Sequence, residues 1–219
     1  MSVIHIGAGG WSYFQVPEND RLSAYAKAFD FVEVNSTFYS IPSMDMVRRW
    51  RKRVPSDFEF SVKCHRDLTH KYCLSPTRES YEILMRSLRI CRELKAQILV
   101  IQTPPSFNLD EKIPEIKHLF SSIDLMDVKL AWEIGGRITQ QTIELMSDLG
   151  IIHCTDISRE LPNPGHDILY TRLFGHGKHN LYQFDDAELM QIDARIQKIN
   201  PKTAYITFHG ARMYKDARG

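Results

Sequence analysis

The chain has 219 residues, a formal net charge of +1 at pH 7 and a hydrophobic content of 43%. This length supports one full core or two small ones, and the near-neutral charge provides no global attraction to nucleic acid or to membranes. No apolar run is long enough to span a bilayer. The first residues lack a signal-peptide pattern, and the four cysteines lack metal-binding spacing, so we expect a cytoplasmic protein with reduced, mostly buried thiols.

Short apolar runs of strand length recur along the whole chain, and most of them alternate apolar and polar residues. In chain order they are VIHIGA (3–8), FVEVNST (31–37), FEFSVKC (58–64), ILVIQTP (98–104), KLAWEIG (129–135), IIHCTDI (151–157), ILYTRLF (168–174) and AYITFH (204–209). These runs predict eight strands.

Segments with helical periodicity separate most of the strands, and the clearest are residues 44–54, 80–96, 140–150 and 185–201. The third ends on Gly150, a favourable residue just past a helix end. The last opens with acidic residues and stops at Pro201, as the helix dipole and the geometry of proline favour. Only the segment 159–167, RELPNPGHD, is too rich in proline to form a helix.

Strands that alternate with helices are typical of parallel α/β architecture. A doubly wound open sheet fits this pattern, and so does a closed (β/α)₈ barrel near the short end of its usual length. No low-complexity linker divides the chain. We predict one (β/α)₈ TIM-like barrel domain over residues 1–219, with one helix replaced by a loop.

Nearly every predicted strand carries polar residues near its carboxyl end: Glu33, Asn35, Thr37, Lys63, Gln102, Glu133, Asp156, Arg172 and His209. Unpaired charges inside a parallel sheet are costly, whereas the carboxyl ends of barrel strands open onto the loops that carry chemistry. We therefore interpret these residues as one polar cluster at the barrel mouth. A satisfied ion-pair network that only fills the interior is the competing interpretation.

The cluster contains the residue types needed for acid–base chemistry, and the predicted catalytic residues are Glu33, Lys63, Glu133 and Asp156. Lys63 and Arg172 would orient an anionic substrate, with Arg172 as a bidentate clamp. A buried Lys63 could instead act as a Schiff-base nucleophile. An ion pair of Lys63 with Glu33 or Glu133 is the structural alternative.

The predicted substrate-binding residues are Trp11, Tyr13, Asn35, Tyr39, His65, Gln102, Arg172 and His209. Their aromatic members would stack on a sugar or a base. Glycines of the segment GAGG, residues 7–10, could cradle a phosphate with backbone N–H groups, although such a turn also serves purely conformational needs. Imidazole and carboxylate groups would suit a divalent metal, but no metal-binding spacing occurs, so the metal and any cofactor stay unassigned.

Four of these segments resemble motifs of the domain of unknown function 72 family, the YecE-like proteins, and the match covers most of the chain. They are GGWSY (9–13), VEVNSTFYSIP (32–42), FEFSVKCHRDLTH (58–70) and IQTPPSF (101–107). The resemblance implies a TIM-barrel-like fold, but it supplies no reaction. The similarity of this type of barrel to endonuclease IV and sugar isomerases suggests nucleic acid or sugar substrates by fold analogy alone.

The chain departs from the family pattern at three places. Gly135 stands where relatives carry arginine after the fifth strand, and Phe174 stands where they carry histidine after the seventh. At the C-terminus, TFHGARMYKDARG replaces an asparagine pair that many relatives share. The family pattern therefore gives less support to the role predicted for His209.

Together these features predict an enzyme with hydrolase, lyase or isomerase-type acid–base chemistry on a small anionic or sugar-like substrate, which could bear a phosphate. The first alternative is a nucleic-acid-binding or nucleic-acid-processing barrel, because the helix MVRRWRKRV (46–54) is strongly basic. The second alternative is a binding module that holds a metabolite without catalysis. The sequence predicts no membrane partner and assigns no oligomeric state.

Overall fold

The computed structural model describes residues 2–14, 20–176, 182–210 and 212–217. In these residues the chain forms eight β-strands, as the alternating runs predict. They are β1 (Val3–Ala8), β2 (Phe31–Val34), β3 (Glu59–Lys63), β4 (Ile98–Thr103), β5 (Lys129–Ile134), β6 (Ile152–Cys154), β7 (Ile168–Leu173) and β8 (Thr203–Phe208).

Helices connect most consecutive strands. The α-helices within the described residues are α1 (Arg21–Ala26), α2 (Met44–Lys52), α3 (Arg78–Leu94), α4 (Ile113–Ser121), α5 (Gln140–Asp148), α6 (Asp186–Ile199) and α7 (Met213–Asp216). Short 3₁₀ helices cover Asn35–Phe38 and Asp110–Lys112, and a π-helical turn covers Asp67–Lys71. None of the helices in the described ranges is both long and apolar enough to cross a membrane.

The strands lie in one sheet in the order β6-β5-β4-β3-β2-β1-β8-β7, which is the cyclic order of a barrel. An isolated parallel bridge joins Thr155, just after β6, to Thr171 of β7. The fold is therefore the predicted (β/α)₈ barrel. Residues 155–167, all of them described, contain no helix, so the proline-rich loop does replace one barrel helix.

The chain packs as two compact units. The first comprises Met1–Glu33, Lys52–Glu59 and Cys154–Gly219, and the second comprises Val34–Arg51 and Phe60–His153. The expectation of a single domain over residues 1–219 stays a prediction.

The core of the first unit contains a group of aromatic side chains around Tyr25, which packs edge-on against Phe14, Phe58 and Tyr214. The Tyr25 hydroxyl lies between two strands, where it accepts a hydrogen bond from Ala8 N and donates one to the Phe31 carbonyl, both at 2.8 Å. This buried hydroxyl thus fixes β1 against β2.

The core of the second unit includes an apolar stripe of α3, the helix that the periodicity of residues 80–96 predicts. Leu84, Leu88, Cys91 and Leu94, at helical spacing, are all fully or almost fully buried. Thr77 caps this helix by accepting a hydrogen bond from Ser80 N. Cys64, Cys91 and Cys154 are buried free thiols, and Cys73 is half-buried.

Two predicted strands are shorter than their patterns, and the run 151–157 forms a strand only over Ile152–Cys154, so Asp156 lies beyond it. The alternation through residue 37 places Glu33, Asn35 and Thr37 on one strand face, but β2 ends at Val34 and a 3₁₀ helix begins at Asn35. Thr37 explains the turn, because its hydroxyl lies 2.6 Å from both the Val34 and Lys63 carbonyl oxygens. Such local side-chain bonds compete with a strand ladder. The prediction that Asn35 and Thr37 continue the strand is therefore wrong.

Candidate functional site

Strand register brings three of the predicted residues, Glu33, Arg172 and His209, close together in the first unit. Thr207 of β8 is paired with Arg172 on one side and Gly7 on the other, and Gly7 is paired with Phe31. Glu33 lies two residues beyond this level on β2, and His209 lies two residues beyond it, just after the end of β8. Because side chains two residues apart share a face, Glu33 and His209 meet above Arg172 at the carboxyl ends of the strands.

Glu33 and Arg172 form a buried, bidentate ion pair. Arg172 Nε donates to Glu33 Oε2, and Arg172 Nη2 donates to Glu33 Oε1, both at 3.1 Å. The Tyr170 hydroxyl donates a third hydrogen bond to Oε2 at 2.9 Å. Glu33 is 0% exposed and Arg172 is 2% exposed. A fixed fork geometry of this kind orients both groups strongly.

His209 lies beside this pair. Its Nε2 is 2.9 Å from Thr207 Oγ1 and 3.8 Å from Glu33 Oε1. The imidazole stacks on Phe174 with ring centroids 4.8 Å apart, and the Arg172 guanidinium lies 5.2 Å from the same ring. Phe174, one of the departures from the family pattern, therefore packs against both His209 and Arg172.

Gly9 is needed for the position of His209. A Cβ at residue 9 would lie 2.3 Å from Nδ1 and Cε1 of the imidazole, a distance that real side chains do not adopt. The backbone of the glycine-rich turn thus approaches the His209 ring closely. Gly9 N donates to the Phe208 carbonyl and Gly10 N donates to the Ala8 carbonyl, so these two donors are used within the backbone rather than offered to a phosphate.

Asp156 has a well-defined structural role. Its Oδ1 accepts hydrogen bonds from Ser158 N and Oγ, and its Oδ2 accepts one from Phe174 N at 2.9 Å. These bonds join the loop after β6 to the end of β7. Among these contacts, the bond to Phe174 N is the one that links Asp156 to the group of Glu33, Arg172 and His209. The catalytic role of Asp156 stays a prediction.

In the second unit the structure brings Gln102 and Glu133 together. The two residues are paired in the β4–β5 register, and Gln102 Nε2 donates to Glu133 Oε1 at 3.1 Å. Both side chains are half-buried. A carboxylate held by an amide is a suitable acid–base group, so the arrangement is compatible with the role predicted for Glu133.

Lys63 ends β3 and is 5% exposed. Its Nζ lies 4.1 Å from the centre of the Phe38 ring, a cation–π contact. Asn35 begins the 3₁₀ helix that carries Phe38, and its Oδ1 is buried with no hydrogen-bond partner among the described residues. An unsatisfied buried acceptor is unusual in native proteins and calls for an explanation.

The turn after β3 contains two histidines. His65 Nδ1 accepts a hydrogen bond from Asp67 N at 3.3 Å. His70 Nδ1 lies 2.8 Å from Thr69 Oγ1, and its ring packs edge-on against Phe38. Burial lowers the pKa of His70 below its ordinary value, and the positive charges of Arg66 and Lys63 lower it further.

The predicted stacking residues are unequally accessible. Tyr13 is 81% exposed and Tyr39 is 66% exposed, whereas Trp11 is half-buried. Tyr13 follows β1 in the first unit and Tyr39 follows β2 in the second, and the stacking role of each stays a prediction.

No group of three or more His, Cys, Asp or Glu side chains within the described ranges is arranged to hold a metal ion. Two arginines of the basic helix α2 have partners in the second unit. Arg48 contacts Asp45 at 2.8 Å and Glu93 at 3.5 Å, and Arg51 donates to the Leu94 carbonyl and lies over Phe60.

Several residues that contribute to these contacts are missing from the predicted site, namely Tyr170, Phe174, Thr207, Phe38 and His70. The sequence could have identified Tyr170 and Thr207. Each lies two residues before a predicted site residue, Arg172 or His209, and therefore on the same strand face. The predicted meeting of Glu33, Lys63, Glu133, Asp156 and Arg172 in a single cavity stays a prediction.

Parallel strands in barrel order and buried polar side chains at their carboxyl ends define a TIM-barrel protein. The family model described as "Protein of unknown function DUF72" matches residues 5–218. The chain belongs to this family, as its motifs indicate.

Curated relatives agree with this assignment. The chain is 30% identical over 128 residues to the UPF0759 protein YecE of Escherichia coli (strain K12), covering 55% of this chain and 44% of the relative. It is 25% identical over 169 residues to the UPF0759 protein YunF of Bacillus subtilis (strain 168), covering 69% and 59%. The chain thus spans about half the length of the curated relatives it matches.

Solved structures show the same fold. A DUF72 family protein from Thermotoga maritima superposes with a TM-score of 0.75 at 21% identity, covering 99% of this chain and 96% of that chain. A xylose isomerase domain containing protein from Salmonella typhimurium gives 0.61 at 13% identity, covering 90% and 88%. A D-psicose 3-epimerase, solved in the presence of D-fructose, gives 0.57 at 12%, covering 97% and 89%.

Proposed function

We propose that this protein is an enzyme that moves a proton on a small, polar, sugar-like substrate. One observation carries the proposal: a carboxylate with no solvent exposure, Glu33, is clamped by Arg172 and lies beside His209 at the carboxyl ends of barrel strands. Barrel enzymes place their chemistry at this end of the strands. A fully buried ion pair is a costly way to fill a core, since apolar residues do so as well or better.

His209 is the group best suited to exchange a proton, because an imidazole titrates near neutral pH. We propose that it removes a proton from a substrate carbon next to a carbonyl, which leaves an enolate, and that it returns a proton to that carbon after exchange with solvent. Glu33 Oε1, 3.8 Å from Nε2, would stabilise the imidazolium that forms in between. Glu33 already accepts three hydrogen bonds, so it would position and stabilise rather than accept the proton itself.

The other predicted residues retain proposed roles in this scheme. Glu133, held by Gln102, and Lys63 lie in the second unit, and their predicted roles as an acid–base group and as a cation for negative charge stay predictions. Asp156 would shape the loop that carries Phe174. The exposed ring of Tyr13, in the same unit as His209, would stack on a sugar ring, and the stacking role of Tyr39 stays a prediction.

Two fold neighbours support a sugar-like substrate class, because their names refer to xylose isomerase and to D-psicose 3-epimerase. At 12–13% identity this is an analogy of fold, so it guides the choice of compounds to test and nothing more. Nucleic acid is less favoured, since acidic or apolar neighbours engage Arg48 and Arg51 of α2.

The test is solvent hydrogen exchange. Aldoses, ketoses, sugar acids and their phosphates are incubated with the protein in D₂O, and deuterium at carbon is followed by NMR. We expect exchange into at least one compound, with a loss of about a hundredfold in His209→Asn. The matched control is His118→Asn, at an exposed histidine of α4. Absence of exchange from the whole panel, or equal rates in wild type and His209→Asn, would remove the proposal and leave a binding module.

A further inference from the structure

The hydroxyl of Thr207 lies between two groups that could each accept its hydrogen atom. Its Oγ1 is 3.1 Å from the carbonyl oxygen of Thr171 on β7 and 2.9 Å from Nε2 of His209. Thr207 and Thr171 are both 0% exposed, so solvent does not compete for this hydrogen. All three residues belong to the first unit. The position of one hydrogen atom therefore decides the direction of both hydrogen bonds.

The chemistry of the hydroxyl selects one direction. A threonine hydroxyl has one hydrogen and two lone pairs. If the hydrogen pointed to Nε2, Oγ1 and the Thr171 carbonyl oxygen would face each other at 3.1 Å with lone pairs only, which is repulsive. Both contacts are favourable in a single arrangement, in which His209 Nε2–H donates to Thr207 Oγ1 and Oγ1–H donates to the Thr171 carbonyl.

The carboxylate of Glu33 favours the same arrangement for an electrostatic reason. Its Oε1 lies 3.8 Å from His209 Nε2, and Glu33 is 0% exposed. A negative oxygen attracts an N–H group and repels the lone pair of an unprotonated nitrogen, and this effect is stronger away from water. Hydrogen bonds from Tyr170 and Arg172 fix the position of the carboxylate. Two independent contacts thus place a hydrogen on Nε2.

We infer that the neutral imidazole of His209 carries its hydrogen on Nε2, and that Thr207 is the positioning residue that maintains this tautomer. The hydrogen bond made by one ring nitrogen determines which of the two nitrogens is protonated in a neutral histidine. In this tautomer Nδ1 holds the lone pair. Nδ1 is therefore the nitrogen at which the neutral ring can accept a proton.

This inference deepens the proposed function, and only its catalytic consequence rests on that function. His209 Nδ1 would take the proton from the substrate carbon, and the electrons of the broken C–H bond would stay on the substrate as the enolate. The ring would then carry a hydrogen on both nitrogens, with Nε2–H still bonded to Thr207 and the positive charge close to Glu33. Return of a proton from Nδ1 to the carbon restores the neutral ring in the same tautomer.

The backbone of Gly9 lies at the other edge of the ring. A Cβ at residue 9 would lie 2.3 Å from Nδ1 and Cε1, so any side chain there would crowd the nitrogen that we assign as the proton acceptor. The two neighbours of the imidazole therefore have different roles. Thr207 sets the protonation of Nε2, and Gly9 leaves room at Nδ1.

The test determines the tautomer directly by NMR. Proton–nitrogen correlation spectra distinguish a ring nitrogen that carries a hydrogen from one that holds a lone pair. They are recorded without substrate, at a pH that leaves the ring neutral, and His209→Asn identifies the His209 signals among those of nine histidines. We expect Nε2 to be the protonated nitrogen and Nδ1 to be the lone-pair nitrogen. The opposite assignment in the wild type would overturn the inference.

Variants of Thr207 separate its hydroxyl from its packing. Thr207→Val replaces the hydroxyl with a methyl group, and we expect the ratio of the Nδ1–H to the Nε2–H tautomer to rise about fivefold. Thr207→Ser keeps the hydroxyl and should retain the wild-type tautomer. Thr203→Val, the same substitution at the opposite end of β8, is the control and should change nothing.

Two results would contradict the role of Thr207. One is an unchanged tautomer ratio in Thr207→Val, and the other is a change in Thr207→Ser as large as that in Thr207→Val. If Thr207→Val does not fold, the wild-type spectrum and Thr207→Ser still decide the assignment.

The tautomer is measured without turnover, so this inference and the proposed function can fail separately. An Nε2–H tautomer in a protein that places deuterium on none of the compounds would keep the inference and remove the proposed function. Exchange by a protein whose neutral His209 carries its hydrogen on Nδ1 would keep the function and remove the inference.

Discussion

Glu33 has no contact with solvent, yet its carboxylate accepts hydrogen bonds from Tyr170 and from two nitrogens of Arg172. The charges compensate each other, so the stability of the pair depends on both partners being present. Removing one partner leaves an unpaired charge in a medium of low polarity.

We therefore predict that Arg172→Met lowers the free energy of unfolding by about 3–5 kcal/mol. The double variant Glu33→Gln/Arg172→Met should recover most of this loss, because it removes both charges and keeps similar volumes. Urea denaturation of the three proteins measures both effects. Arg78→Met, which breaks the exposed pair with Glu82, is the matched control and should cost less than about 1 kcal/mol. A double variant as unstable as the single one would contradict this reasoning.

His153 gives a prediction for acid stability. Burial lowers the pKa of this histidine in β6 to about 4, below its ordinary value of 6.5. The unfolded chain takes up the proton first as pH falls, so the stabilisation is complete above pH 6.5 and is lost between 6.5 and about 4. We expect a loss of about 2–3 kcal/mol over this window.

Unfolding free energies of wild type and His153→Gln, measured across the same pH range, check this effect. The variant should show a shallower decline, whereas His118→Gln, at an exposed histidine, should decline as wild type does. Parallel curves for His153→Gln and wild type would mean that His153 titrates normally in the folded protein.

The residues that follow β1 and β8 lie so close together that adding a single Cβ at Gly9 would force the His209 ring to move. Gly9 follows β1, and a Cβ there would lie 2.3 Å from the imidazole. We predict that Gly9→Ala costs about 1–3 kcal/mol through overpacking, because the ring must move. Displacement of a reacting group by about 1 Å should also slow exchange by roughly a hundredfold.

Gly150→Ala is the control for this variant. Gly150 adopts φ +61° after α5 and has open space where a Cβ would lie, so alanine there should cost about 1 kcal/mol without slowing exchange. Wild-type exchange rates in Gly9→Ala would show that the close approach has no role in the site.

Strand and helix patterns predicted the elements well, but they could not place every side chain. The run 31–37 alternates as a strand should, yet the Thr37 hydroxyl binds two carbonyl groups and ends β2 at Val34. A long-range bond to the Lys63 carbonyl has no signal in a local pattern. Glu33 and Arg172 are a similar case. The alternation predicts which face of its strand each residue occupies, but the ion pair between them follows only from the β7–β8–β1–β2 register.

The barrel itself could be predicted, because eight strand-length runs and one helix-free proline segment are global features of the chain. The ion-pair partners of its charged side chains could not be predicted from the sequence. Helix α2 reads as a nucleic-acid-binding surface in sequence, yet Arg48 is paired with Asp45 and Glu93, and Glu93 belongs to α3, far along the chain. Tertiary pairing of this kind is invisible to periodicity.

The formal net charge is +1, and Arg48 of α2 is paired with Asp45 and Glu93, so we predict no specific affinity for single- or double-stranded oligonucleotides. Fluorescence anisotropy at several salt concentrations measures this. Two results together would restore the nucleic-acid alternative. Binding would weaken steeply with salt, and Arg49→Gln would reduce it while Arg86→Gln, at an exposed position of α3, would not.

The most direct measurement compares solvent deuterium exchange in wild type with that in Glu33→Gln/Arg172→Met, a variant expected to remain folded. If the buried pair serves catalysis through His209, the double variant unfolds near the wild-type urea concentration but no longer places deuterium on the sugar-like compound. Undiminished exchange in that folded double variant would mean that the pair only fills the barrel, and the functional assignment of the cluster would be wrong.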